Sequence, residues 1–543
     1  MSNLKYLTLF VIHFIFILAL IVPIILQYVY KWNFTLHIYK NIIYISTYGI
    51  YLFVYLIIQF LFSFINNQIK YNNLQSNTLD QAVNILIVGH KENPDLFKSC
   101  LESIKNICYN SYLINKVYII IDGNTSDDQY MVDIFTTIYN SDSSISSIYM
   151  DIDIDTIDIN HNFIKYMDMI NNNKIVCISK KHNGKRSAMY TGFHFSFLEK
   201  NIYNKNIQTI FCTDSDTIIH SDCIQQMYNC FADSKIGAIT GNLSIYNKYD
   251  SIISFLTSIR YWYAFNLERA YQSANGYVMC VSGPIGMYKL TSLEKICEEW
   301  YNQTFLGTKC NFGDDRHLTN KILYLGEKVG YVPLAYAQTE TPHTIYRFYK
   351  QQIRWNKSSF REFFWTIKYI HNYSLFISID LIYTLIYPFI ISGYLLYILY
   401  TGNLFELSFY LTIILLIGTI KTLYSILIYR NFEHIFYSLY SIIYITIVFP
   451  AKLWALISLT DNSWGTSSRK IMSYNIGFDL SILILWNLSL FSGIFYCIWR
   501  NSINFSDILY LITIVSIWII LACFMYIYIT VKKNNTYLKL KNL

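Results

Sequence analysis

Apolar runs long enough to cross a bilayer crowd both ends of this 543-residue chain and leave its middle free of them. Residues 6–30 and 42–65 each exceed the roughly 20 residues that a membrane-spanning helix needs. Five more runs follow at 374–400, 404–429, 439–459, 474–499 and 508–531. Between about residues 66 and 345 no comparable run occurs, so a polar domain large enough for its own core is held between membrane segments. A composition of 54% hydrophobic and only 14% charged residues agrees with that division and excludes an ordinary soluble protein. The first run is too long for the apolar core of a signal peptide and has no small-residue cleavage site, so it reads as a retained anchor.

The run 439–459 differs from its neighbours. It holds Pro450 and Lys452 and leads directly into Trp464-Gly465-Thr466-Ser467-Ser468-Arg469-Lys470, a basic, polar stretch suited to phosphate. Were this run to span, that stretch would lie opposite the polar domain. The reading is therefore re-entrant or interfacial, with two spans before the domain and four after it. Lys532, Lys533, Lys539 and Lys541 then fall on the cytosolic side, as charge asymmetry prefers, although Lys31 and Lys40 between the first two spans oppose it. The expected division is 1–65, two membrane helices; 66–345, a cytosolic domain; 346–373, interfacial helices; and 374–543, four spans with the re-entrant segment. Eleven cysteines occur without any C-x-x-C, which argues against a zinc site and for free cytosolic thiols. The net charge of +7 suits anionic partners and membrane anchoring, and nothing calls for nucleic acid.

Within the domain, short apolar runs alternate with helical patterns. Residues 84–88 end in Gly89-His90-Lys91-Glu92, residues 116–121 end in Asp122-Gly123, and 174–178 and 209–212 continue the series. Such alternation predicts a mostly parallel sheet covered on both faces, with ligands at the carboxyl ends of its strands. There the strand 209–212 runs into Thr213-Asp214-Ser215-Asp216, two carboxylates that core packing does not require. Either they mark a turn, or they hold a hard cation such as Mg²⁺ or Mn²⁺. Gly313-Asp314-Asp315-Arg316 opens a later helix and supplies either its acidic first turn or a general base. Residues 351–358 place Gln351, Arg354, Trp355 and Ser358 on one helical face. That face is either an interfacial anchor or a platform where indole meets a sugar ring and guanidinium meets a diphosphate. Residues 141–160, rich in alternating Asp and Ile, read as an edge strand or a biased insertion.

Asn247-Lys248-Tyr249-Asp250-Ser251, Ser282-Gly283-Pro284-Ile285-Gly286, Gly313 to Asn320, Thr339-Glu340-Thr341-Pro342, Gln351 to Glu362 and Trp464-Gly465-Thr466-Ser467 all occur in one order. Together they resemble the class I hyaluronan synthases, processive membrane-embedded inverting glycosyltransferases related to chitin and cellulose synthases. The resemblance implies a GT-A-like α/β domain, mostly parallel in sheet, inserted in an α-helical membrane channel. It implies UDP-GlcNAc and UDP-GlcA as donors, a growing polysaccharide as acceptor, Mg²⁺ or Mn²⁺ as cofactor, and a multi-pass protein of the plasma membrane.

Residue by residue, the resemblance implies that Glu92 and Asp122 hold the nucleoside and that Lys185 and Arg186 lie near the nucleotide sugar. Asp214 and Asp216 would hold the metal. Asp315, flanked by Asp314 and Arg316, corresponds to the base. Trp355 and Gln351 would receive the acceptor sugar, with Cys280 and the Ser282-Gly283-Pro284 turn beside it. Arg354, Trp464, Thr466 and Arg469 would act on the diphosphate, the last three from a gating loop. His90 and Asn93 depart from the aromatic and acidic residues usual there, and Asn183 from a glycine. A chitin-type homopolymer synthase is the alternative in the same reaction class, and a silent transporter or scaffold on the same fold is a third.

Overall fold

The computed structural model describes residues 35–37, 44–68, 82–140, 145–152, 166–367, 373, 375–462, 479–501 and 505–541. The expected first anchor, Trp464, Thr466, Arg469 and the second half of the Asp/Ile-rich stretch lie outside the described residues.

A short hairpin, β1 (Thr35–His37) with β2 (Tyr44–Ser46), precedes a 22-residue apolar helix, Thr47–Gln68. The polar domain then builds on β3 (Val83–Gly89), every residue of which is buried. Burial on both sheet faces is why this strand reads as an unbroken apolar run. It pairs in parallel with β4 (Ile114–Asp122) on one side and β7 (Thr209–Asp214) on the other. Next to β4 comes β6 (Ile175–Lys180), and then β5 (Ser147–Ile152) at the edge, which places the described part of the Asp/Ile-rich stretch in an edge strand. Asn93 caps the helix between β3 and β4, its side chain taking the backbone N–H groups of Asp95 and Leu96, with Pro94 at the first helical position.

Beyond β7 the sheet changes direction. β8 (Ile218–Ile219), β9 (Ile236–Ile245), β10 (Gly286–Lys289) and β13 (Lys328–Thr339) complete the order β5-β6-β4-β3-β7-β10-β9-β13-β8, with β10 and β8 antiparallel to their neighbours. A two-stranded hairpin, β11 (Thr304–Phe305) with β12 (Thr308–Lys309), stands apart. This is the expected GT-A-like, mostly parallel domain, with antiparallel strands that its apolar spacing did not announce.

Among the described residues five helices after the domain are long and apolar enough to cross a membrane: Ser378–Thr401, Leu404–Tyr429, Phe432–Ile457, Leu480–Arg500 and Phe505–Asn534. The third is the most buried of them, and it combines 3₁₀, α and π turns. Its start meets the polar domain and its end meets the Ile345–Thr366 helix. Near its start Glu433 accepts from Lys248 Nζ at 2.9 Å and Tyr249 Oη at 2.5 Å. Just past its end Asp461 takes Lys357 Nζ at 2.9 Å, and the Leu459 carbonyl takes Arg361 Nε at 2.9 Å. One apolar cluster joins the two halves, with Phe255 of the polar domain and Tyr349 of the Ile345–Thr366 helix packed among Phe436, Val448 and Trp518.

Candidate active site

Because β3, β4 and β7 run parallel, their carboxyl ends lie along one edge of the sheet, where Val88 pairs with Asp214. A cavity of about 1460 Å³ opens there. β10 returns antiparallel beside β7, with Gly286 opposite Cys212, so the Ser282-Gly283-Pro284 turn before it is delivered to the same edge. Thr213 Oγ1 ties that turn down by donating to the Pro284 carbonyl at 2.9 Å. A Cβ on Gly283 would stand 3.2 Å from Lys185 Nζ and 3.7 Å from Asp214 Oδ2, so the bare backbone lets the turn close over the carboxylate.

Asp214 and Asp216 both line the cavity. Lys185, first residue of its helix after Gly184 (φ +87°), sends Nζ to Asp214 Oδ1 at 2.6 Å and lies 3.6 Å from Asp314 Oδ2. Burial, offset by Lys185 and reinforced by the charge of Asp216, leaves the Asp214 carboxyl above its ordinary value. Burial also opposes the Lys185 charge, but Asp214 and Asp314 outweigh it and hold the ammonium above its usual range. An all-oxygen pair whose mutual repulsion one lysine only partly relieves fits a hard divalent cation.

Gly313 adopts φ +81° and starts the Asp314–Tyr324 helix, while a Cβ there would strike Ser358 of the Ile345–Thr366 helix. The left-handed turn thus packs the two helices together and aims Asp315 into the cavity. Cys280 Sγ lies 3.7 Å from Asp315 Oδ2. Burial first, then Asp315, pushes that thiol up to about 12, so it meets the carboxylate as a neutral donor. Asp314 is backed by Trp300, whose Nε1 donates to its carbonyl at 2.9 Å.

The Ile345–Thr366 helix presents Gln351, Arg354, Trp355 and Ser358 to the cavity, the face that the spacing predicts. Trp355 is 38% exposed, enough for an indole face to receive a ring. Burial lowers Arg354 from its ordinary value, with Asp314, Asp315 and Asp214 opposing, so an anionic group here meets a guanidinium set among carboxylates. Arg316 lines the same space.

Glu92 and Asp122 line the far end of the cavity. Both Asp122 oxygens accept backbone N–H groups, from Asn183 and Gly184 at 2.9 Å each, so this carboxylate shapes the loop that carries Lys185. Arg186 does not line the cavity: it is buried, donating to the Trp300 carbonyl at 2.7 Å and to Gln303 Oε1 at 2.8 Å. The resemblance implied that it would lie near the nucleotide sugar with Lys185, but direction is set by helix phase, which puts neighbours 185 and 186 about 100° apart.

Sequence reasoning missed several cavity groups. Arg260 pairs with Glu268 at 2.9 Å, Lys452 Nζ reaches Asn356 Oδ1 at 2.8 Å, and Asp380 accepts from Gln272 Nε2 at 3.0 Å. With Thr384 they carry the cavity from the sheet edge to the first membrane-length helix after the domain. An ionisable residue six positions into an apolar helix was the available signal.

Comparison with known proteins follows the same lines. Residues 198–475 match a family model described as chitin synthase. Hyaluronan synthase 2 of Xenopus laevis is 36% identical over 463 residues, covering 84% of this chain and 82% of the relative. The Homo sapiens hyaluronan synthase 2 is 35% identical over the same shares, and Xenopus laevis hyaluronan synthase 3 is 33% identical over 92% of this chain and 88% of its own. Among solved structures, a mannosyltransferase from Pyrobaculum calidifontis in complex with GDP-Man and Mn²⁺ aligns with a TM-score of 0.39 at 14% identity, covering 58% of this chain and 72% of that one.

Proposed function

Since this chain belongs to the hyaluronan synthase family, we propose that it polymerises UDP-GlcNAc and UDP-GlcA by metal-dependent inverting transfer and exports the polymer through its own membrane helices. The observation that carries this reading is a single cavity holding Asp214, Asp216, Asp315, Arg354 and Trp355 and reaching Asp380 and Thr384 on a membrane-length helix.

Each residue then has one task. Trp355 and Gln351 seat the terminal sugar of the acceptor, its hydroxyl toward Asp315. Asp315 takes the proton as that hydroxyl attacks the anomeric carbon, and Cys280 steadies the carboxylate by donating to it. Inversion needs one base and no covalent nucleophile, and the UDP group leaves with its electron pair. Arg354 and, from the loop, Trp464, Thr466 and Arg469 take up diphosphate charge. Asp214 and Asp216 would hold Mg²⁺ or Mn²⁺, which when bound neutralises that leaving group. Glu92 and Asp122 frame the nucleoside end. The contacts of the 432–457 segment with the domain at its start, and with the interfacial Ile345–Thr366 helix just past its end, support a re-entrant or interfacial course, which keeps the loop after it on the catalytic, cytosolic side of the plasma membrane.

Radiolabelled incorporation by purified protein tests the reading. High-mass, hyaluronidase-sensitive product should need both donors and should vanish in excess chelator and in Asp216→Asn. Polymer from UDP-GlcNAc alone would instead favour a homopolymer synthase, the reaction class to which the chitin synthase match also belongs.

A further inference from the structure

Asp214, Ser215 and Asp216 lie in one tight turn, closed where the Thr217 backbone N–H donates to the Asp214 carbonyl at 3.2 Å and Thr217 Oγ1 donates to Asp216 Oδ1 at 3.2 Å. Both acidic residues are half-buried, whereas Ser215 between them is buried. Its hydroxyl donates to Glu92 Oε2 at 3.2 Å, although the two residues are 123 positions apart. Parallel pairing of β3 with β7 makes that reach possible, because Val88 lies opposite Asp214 and the chain leaving β3 passes beside the turn. Gly89 lets it pass closely, since a Cβ there would stand 3.0 Å from Ser215 Cβ. Glu92 is itself held from several directions. Its Oε1 accepts the Asn93 backbone N–H at 2.9 Å, and its backbone carbonyl accepts from Tyr130 Oη at 2.6 Å, on the helix Gln129–Tyr139. One residue earlier Lys91 adopts φ +45°, a costly backbone for any residue with a Cβ, and its ammonium lies 3.4 Å from Asp127 Oδ2. Such a backbone persists where the surrounding contacts fix it. Here they fix the loop that brings Glu92 to the turn.

We propose that Glu92 is a positioning residue for the metal carboxylates: through Ser215 Oγ it fixes the turn that aims Asp214 and Asp216, so it governs how tightly the cation binds. The inference rests on the metal assignment above. Two carboxylates so close in sequence repel each other, and a turn free to open would let them part. Lys185 restrains Asp214 at its side chain, with Nζ 2.6 Å from Oδ1. Ser215 and Glu92 restrain the backbone between the two carboxylates. A turn anchored in this way presents the pair already placed, and less ordering remains to be done when the cation arrives. Glu92 thus stands at the nucleoside end of the cavity while its carboxylate serves the neighbouring turn.

Mn²⁺ binding to full-length protein in detergent, with UDP saturating, is read from the loss of the free-ion signal in electron paramagnetic resonance. Ser215→Ala, which deletes a single oxygen, and Glu92→Ala should each weaken Mn²⁺ binding roughly tenfold. Combined, they should weaken it no further than Glu92→Ala alone, because both cut the same link. In polymer synthesis, saturating Mn²⁺ should bring the KM for UDP-sugar in both variants back to that of the unaltered protein. Unchanged Mn²⁺ affinity in Ser215→Ala overturns the inference. So does a KM in Glu92→Ala that stays raised at saturating Mn²⁺, which would make Glu92 a nucleoside contact. Unaltered protein that takes up no Mn²⁺ would sink the metal assignment, and the inference with it.

Discussion

Asp315 and Asp314 are adjacent in sequence, yet their surroundings give them different work. Asp314 is buried, and Lys185 followed by Arg186 holds it below its ordinary value against the effect of burial, so it is a fixed negative charge. Asp315 faces the cavity beside a thiol that stays protonated. A base must be reachable and free to take a proton, and that condition selects Asp315. Asp315→Asn should therefore bind UDP with wild-type affinity by calorimetry and lose roughly 10²- to 10⁴-fold in sugar transfer. Wild-type turnover in that variant would remove Asp315 as base. The carboxylate pair at 214 and 216 was legible in the sequence because a strand end has no packing use for it. The ion pair from Lys185 to Asp214 was not, since a residue 29 positions away announces nothing of its reach.

Two helices carry the catalytic groups, and one buried carboxylate clasps them. Glu362, on the Ile345–Thr366 helix, accepts from His317 Nδ1 at 3.0 Å and Asn320 Nδ2 at 2.8 Å of the Asp314–Tyr324 helix, and from Gln303 Nε2 at 2.6 Å. Removing it strands two buried donors, His317 and Gln303, and takes one acceptor from the half-buried Asn320, so Glu362→Ala should cost about 3 to 5 kcal/mol and lower the thermal inactivation midpoint in detergent. A midpoint unchanged within error would show that the clasp contributes nothing. The same pair makes the fold acid-sensitive. Burial, against the pull of Glu362, holds His317 below its ordinary 6.5, so below about pH 6.5 the unfolded chain binds a proton that the folded chain refuses and stability falls. Glu362, kept under its ordinary 4.5 by His317 and its other donors despite burial, loses its contribution as pH drops through its folded value. Inactivation midpoints should decline from pH 7 to pH 4.5, and a flat profile over that range would contradict the assignment. Helical spacing made the cavity face of 351–358 readable, because periodicity encodes which residues share a side. What the opposite face grips was unreadable, because that partner comes from another helix.

At the scale of the whole molecule, the polar domain and the membrane helices share a core, and the cavity runs from one into the other. The five apolar runs after the domain correspond to five membrane-length helices among the described residues, since length and hydropathy are local properties. Whether each crosses depends on what its ends touch. Phe432–Ile457 is long enough to span about 39 Å as a helix, yet Glu433 at one end and Asp461 beyond the other both bind groups of the polar domain or its interfacial helix. A spanning helix would carry those ends to opposite faces of the bilayer. The contacts support the proposed re-entrant or interfacial course, in which the segment starts and finishes on the domain's side and an even number of crossings follows the domain. Ser467 should then face the cytosol. In a Cys523→Ser background, which removes the exposed native thiol, Ser467→Cys in sealed vesicles should react with a membrane-impermeant maleimide only from the face that also exposes the catalytic domain. Arg469→Ala should lower polymer synthesis and UDP release together, by roughly tenfold to a hundredfold, since one charge-assisted contact to a diphosphate is worth about 1.5 to 3 kcal/mol. Labelling of the Ser467→Cys variant from the opposite face alone would mean that the 432–457 segment crosses the bilayer. The loop could then have no part in holding the nucleotide, and any effect of Arg469 would have to come through folding.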